Sequence, residues 1–226
     1  MEPLFLSVIC GCNAGLFHEA LHEVYIPRIQ RGDVYFAAIV LGARGALVLA
    51  LVHFFEHGRW GSLVENCSEG QGFTAEDQLF ILTQAGLYLT ATRGLGAPEA
   101  RICYERAEPL CHSLNRPVLL YVALMGQWHY SLMNDKLTAT MQIAERVHSF
   151  AEELKESALV IGAYRALAGC RRDFRRLGAQ RFRQNSGRYR LDRGRNTGLS
   201  RSRLHAPHAL LSSTKGGSFA PSKSYL

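Results

Sequence analysis

Acidic residues almost vanish from the end of this 226-residue chain. Positions 171–226 hold 14 Lys and Arg against 2 Asp and Glu, whereas positions 1–170 hold 12 against 17. The overall charge of +7 thus averages a mildly acidic body at −5 and a tail at +12. The tail also lacks an apolar face of useful length, which excludes a packed domain there. The six cysteines are scattered, and Cys10-x-Cys12 has no second pair at zinc-ribbon spacing. That excludes a disulfide scaffold, argues against a ribbon-type zinc site, and reads as reduced thiols. No GxxxxGK[ST] occurs, so no phosphate cradle can be argued. The start MEPLFLSVICGC has an apolar run but no basic n-region, and Glu2 has the wrong sign for an export signal. No Ser-His-Asp or Cys-His set stands in a matched context.

What is present is a repeated spacing. Ala100-x-x-x-Tyr104-x-x-Ala107 returns forty residues later as Thr140-x-x-x-Ala144-x-x-Val147. Small and apolar residues so spaced sit where the second helix of a helical hairpin meets its neighbours, so the period indicates a stacked helical repeat. The fold expected is all-α: a short, right-handed solenoid of tetratricopeptide-like hairpins over 73–170. A poorly defined helical and apolar region, 1–72, precedes it, and a basic, disordered tail, 171–226, follows.

Local signals divide the body. Residues 1–33 read as irregular, apart from an amphipathic segment from Leu16 to Val24. The apolar run 34–56 comes next, then a glycine-rich linker from Gly58 to Gly72. Thr74 with Asp77 makes a capping-box start for a helix that stops at Gly94. Pro98 and Pro117 suit the first turns of two further helices. Pro109 lies inside the earlier of these and is expected to kink or shorten it. A fourth helix is read from about Leu137 to Glu156 and a fifth from near Ser157, all joined by short loops that favour antiparallel neighbours.

From about Glu69 to Gly169 several stretches carry a resemblance. They are Leu87-Tyr88-Leu89-Thr90-Ala91-Thr92-Arg93-Gly94, Gly96-Ala97-Pro98-Glu99-Ala100, Tyr104-Glu105-Arg106-Ala107 and Gly126-Gln127-Trp128-His129-Tyr130. Leu137, Ala144-Glu145 and Ala163-Tyr164-Arg165-Ala166-Leu167-Ala168 also fit. This part resembles the degenerate tetratricopeptide-like regions of large bacterial predicted ATPases, many of which carry a cyclase-type or DNA-binding domain upstream. The resemblance implies a scaffold in a cytoplasmic signalling protein, of which this chain is a fragment. No nucleotide-binding or cyclase residue carries over. The repeat slots beyond Thr140 fall on Gln180, Gln184 and Gly187, a poor packing face, so the segment after Cys170 reads as out of frame.

The function expected is a non-catalytic interaction scaffold with no cofactor and no metal. Its partner is a protein, a peptide or a domain of the parent protein. Leu82, Tyr88, Tyr121 and Trp128 are the candidate contact residues on the first-helix side, each of which also suits a core position. Two alternatives stand beside it. His18-Glu19-Ala20-Leu21-His22 reads H-E-x-x-H, in which two imidazoles on one helix face hold zinc and the glutamate acts as base. Its third ligand is sought among Glu56, Glu65 and Glu69. The run Val34–Phe55 is long enough to span a bilayer, which would make the protein membrane-attached. Arg44 near its middle opposes this by roughly 2.5–3.5 kcal/mol. The arginine-rich tail would bind polyanions without specificity.

Overall fold

The computed structural model describes residues 1–64 and 72–170. These all lie in one compact unit, residues 1–179. The expected disorder, polyanion binding and frame shift of 171–226 fall outside the described residues. Within them the chain is all-α, and the only strand-like feature is an isolated antiparallel bridge between Phe55 and Leu63.

The hairpins form where the caps and prolines place them. Helix α5 (Ala75–Arg93) starts at Thr74, whose hydroxyl accepts from the Asp77 amide while the Asp77 carboxylate accepts from the Thr74 amide. Helices α6 (Pro98–Ser113) and α7 (Pro117–Met133) each begin on a proline. Helix α8 (Leu137–Leu154) follows a turn in which Asp135 is left-handed, and α9 spans 157–170. Pro109 does not end α6, which continues to Ser113. Ala107 and Cys111 on either side of it are both buried, so tertiary packing offsets the lost backbone hydrogen bond.

All six repeat positions, Ala100, Tyr104, Ala107, Thr140, Ala144 and Val147, are buried. They face the helices on either side of each second helix, as the period implies. The largest of them sets the spacing. A Cβ added at Gly86 on α5 would lie 2.7 Å from one edge of the Tyr104 ring, and one at Gly126 on α7 would lie 2.2 Å from the other. Gly86 and Gly126 are themselves forty residues apart. The ring is wedged between two bare backbones and cannot move off one without striking the other.

Residues 1–33 are mostly helical, not irregular. Helix α1 (Glu2–Asn13) buries Phe5, Val8 and Cys12. A short α2 (Phe17–Glu19) runs into a π-helix, Ala20–Gln30, whose buried residues are Ala20, Leu21, Tyr25, Ile29 and Gln30. Those spacings of four and five match the wider i→i+5 turn rather than the 3.6-residue period. The apolar run then divides into α3 (Phe36–Ile39) and α4 (Arg44–Leu51) around Gly42, which has φ +63°. Neither helix is long enough for the bilayer span, and no helix among the described residues is long and apolar enough to cross a membrane.

This region shares one continuous core with the repeats, from Phe5 to Ala163. Edge-to-face contacts join them: Tyr25 lies 6.2 Å from both Phe54 and Phe80, and Phe54 lies 5.9 Å from Phe73. Helix α5 is therefore covered on both sides. Nearly every residue from Leu79 to Leu89 is buried, with Leu87 the exposed one. At the other end Trp128, Ala144, Ala166 and Cys170 make a smaller cluster that fixes α9.

One polar junction crosses three helices. Gln127 on α7 donates to Glu108 on α6 at 2.7 Å, and Arg146 on α8 donates to the other carboxylate oxygen. Burial alone would push the Glu108 carboxyl up, but these two hydrogen bonds and the Arg146 charge outweigh it and hold the carboxyl below its ordinary range.

Two outcomes are expected. Gly→Ala inside a helix ordinarily stabilises by about 0.5–1 kcal/mol, but Gly126→Ala should cost about 1–3 kcal/mol in urea unfolding. In a Tyr104→Leu background that cost should fall by more than half. Glu108→Gln should lose about 1–2 kcal/mol at neutral pH. Because the folded carboxyl is depressed, its contribution is present above the unfolded value near 4.3 and is lost as pH falls through the folded one. The gap between wild type and variant should therefore close on acidification, as followed by denaturant melts across pH.

Candidate functional site

Helices α5 and α7 are the first helices of successive hairpins, and their free sides face the junction of α3 with α4. Between them lies a cleft of about 1010 Å³. It extends along α5 from Glu76 to Ala91, roughly 22 Å at 1.5 Å per residue. Ile39, Leu79, Phe80, Leu87, Val118, Leu119 and Val122 give it apolar walls. The break at Gly42 turns Ile39 outward and begins α4 at Arg44, on the cleft. Pro117 starts α7 so that Val118 stands at the opposite lip.

Polar groups collect at the two ends. At one, Arg116 donates from Nη2 and Nε to Glu76 Oε1 at 2.7 and 3.2 Å. At the other are Arg44, Tyr35, Gln84 and Tyr88. A buried network supports that end. The Gln30 amide donates to Tyr88 Oη at 2.9 Å, to Tyr25 Oη at 3.1 Å and, at its limit, to Gln84 Oε1 at 3.5 Å. Gln30 Oε1 has no partner among the described residues. Burial pushes the Tyr88 hydroxyl up to about 12, with the Gln30 hydrogen bond and the Arg44 charge opposing in part. Burial likewise raises the Tyr25 hydroxyl. Both phenols stay protonated at neutral pH and serve as hydrogen-bonding groups.

No family model, curated protein or solved structure matches this chain. The role of the cleft therefore rests on its own side chains. Among the described residues its lining holds no His, Cys or Asp, and the one carboxylate is the ion-paired Glu76. The thiols of Cys103 and Cys111 are pushed up by burial to about 12 and about 11, away from the reactive thiolate form. An apolar trough with polar ends is suited to holding a ligand.

Of the residues expected at the site, Tyr88 lines the cleft but is 5% exposed and also belongs to the larger core. Leu82 and Trp128, 2% and 7% exposed, belong to the two cores. Trp128 donates to Cys170 Sγ at 3.4 Å. Tyr121 is half-buried and sets its hydroxyl against α9, where a Cβ on Gly162 would come within 2.1 Å. Sequence reading passed over Ile39, Val118 and Tyr35. It took Arg44 only as a cost of membrane insertion. The available signal was Gly42 beside Arg44, a turn residue next to a charge inside an apolar run.

The H-E-x-x-H segment takes a different form. The His18 and His22 rings lie 4.4 Å apart, partly stacked, and His22 Nε2 is 2.9 Å from Asp77 Oδ1. The second carboxylate oxygen of Asp77 already accepts from Thr74. Glu65 and Glu69 fall outside the described residues, and Glu56 lies in a 3-10 turn, Glu56–Gly58. Among the described residues no group of three or more His, Cys, Asp or Glu is arranged to hold a metal ion.

Replacing Gln30 tests the network below the cleft. Gln30→Met keeps the volume but strands two buried hydroxyls, and should cost about 1–3 kcal/mol in thermal or urea unfolding.

Proposed function

We propose that this chain is a non-catalytic interaction scaffold that takes an apolar segment of a protein partner into the α5–α7 cleft. One observation carries the reading. Apolar side chains stand open to solvent around the cleft: Ile39 is 70% exposed, Val118 51% and Leu87 42%. Val40 and Leu41, next to Ile39 in the chain, are exposed as well. Contiguous exposed apolar surface on a folded chain marks an interaction site, and stacked helical hairpins offer an extended face for one. Covering each such side chain contributes on the order of 1 kcal/mol. The resemblance over 69–169 would set the scaffold within a larger ATPase- or cyclase-type signalling protein in the bacterial cytoplasm, where a domain of that protein is the nearest partner.

The test uses a display library of random peptides of about sixteen residues, enough to cover the cleft as a helix. Panning on the purified chain should enrich binders. Ile39→Asp and Val118→Asp should each weaken the synthesised binders at least roughly tenfold in fluorescence anisotropy. Both positions are more than half exposed, so helicity and melting temperature should stay unchanged. No enrichment, or binders indifferent to both changes, would overturn the reading.

A further inference from the structure

The cleft is apolar in its walls but not neutral. Among the described residues, three ionic side chains line it: Arg44, Glu76 and Arg116. Glu76 and Arg116 satisfy each other. Arg44 takes part in no ion pair among the described residues. It opens α4, whose first turn has no side-chain cap, so the helix end adds positive partial charge at the same place. The cleft thus has one neutral end and one cationic end. Along α5 the ends are marked by Glu76 and Tyr88, about 18 Å apart.

We infer that the apolar segment bound in this cleft carries a carboxylate at the Arg44 end, as an acidic residue beside its apolar contacts. The inference rests on the docking reading above and specifies its chemistry. A partner covering Ile39 and the wall toward Tyr88 must strip water from Arg44. A neutral segment would leave that guanidinium desolvated and unpaired, and a cationic one would add like-charge repulsion. A carboxylate meets the guanidinium fork with two charge-assisted hydrogen bonds. It also fixes the direction of the segment, since the far end offers only the closed Glu76–Arg116 pair.

The same display library decides this. On the wild-type chain, enriched peptides should place Asp or Glu at one end of an apolar stretch. On Arg44→Glu the bias should turn to Lys and Arg, and on Arg44→Gln it should disappear. A binder with its acid changed to lysine should bind wild type roughly tenfold more weakly and Arg44→Glu roughly tenfold more tightly. Arg44 is exposed, so circular dichroism should show both variants folded. Binders without acidic residues on wild type, or an acidic bias that survives Arg44→Glu, would overturn the charge inference while leaving the docking reading intact. Failure of the library to enrich, or binders blind to Ile39→Asp, would sink the docking reading itself.

Discussion

The Tyr104 ring, seated edge-on between Gly86 and Gly126, is the constraint on which the rest depends. A side chain at either glycine would force the first helices away from the second. With bare backbone on both sides, α5, α6 and α7 close to the separation that buries Ala100, Ala107 and Ala123 completely or nearly so. A 40-residue period is then more than sequence similarity. It is the recurrence of a glycine, Gly86 and then Gly126, on successive first helices, with the Tyr104 ring filling the space between them. Helix packing is close and not easily deformed, so a fixed separation here sets where the free sides of α5 and α7 stand, and with them the width of the cleft.

A stack of few hairpins leaves its end faces bare, which is the usual reason short arrays are marginal. The first 63 residues cover one such face. Tyr25 meets Phe80 on α5, and Phe17 and Phe54 meet Phe73 just before it, which brings the π-helix and the segment after α4 onto the start of the repeats. This N-terminal layer is therefore part of the same fold. It has a second consequence. Because its apolar run is broken by a turn at Gly42 instead of forming one continuous helix, it places an apolar lip and a cation against the groove that the repeats alone would leave shallow.

Much of the repeat region was legible because its signals are local. A threonine with an aspartate three residues on, two prolines at first turns and loop residues able to take positive φ each act within a few positions. The boundaries of α5 through α8 follow from them closely. Helix α6 ran on past Pro109 because long-range packing of Ala107 and Cys111 overrode a local preference. The N-terminal layer was obscured for a different reason. Its buried positions 20, 21, 25, 29 and 30 follow a period that a search at 3.6 residues does not register. The 34–55 run is apolar all along, and neither periodicity nor composition tells a bilayer span from a broken pair of buried helices.

The candidate site divides the same way. Sequence alone determined that this chain stacks helical hairpins at a forty-residue period, and that Tyr88 lies on a first helix where a groove would form. It also determined that no phosphate loop or paired-cysteine motif occurs, because these need fixed residue types at fixed spacings. Tertiary structure decided which buried aromatic residues also border the groove and which do not. Tyr88 and Trp128 look alike in a helical pattern but differ in which neighbour covers them. It also decided that Arg44 stands at the cleft and that His22 meets Asp77. Both depend on contacts between residues far apart in the chain, and these exist only once the core has closed.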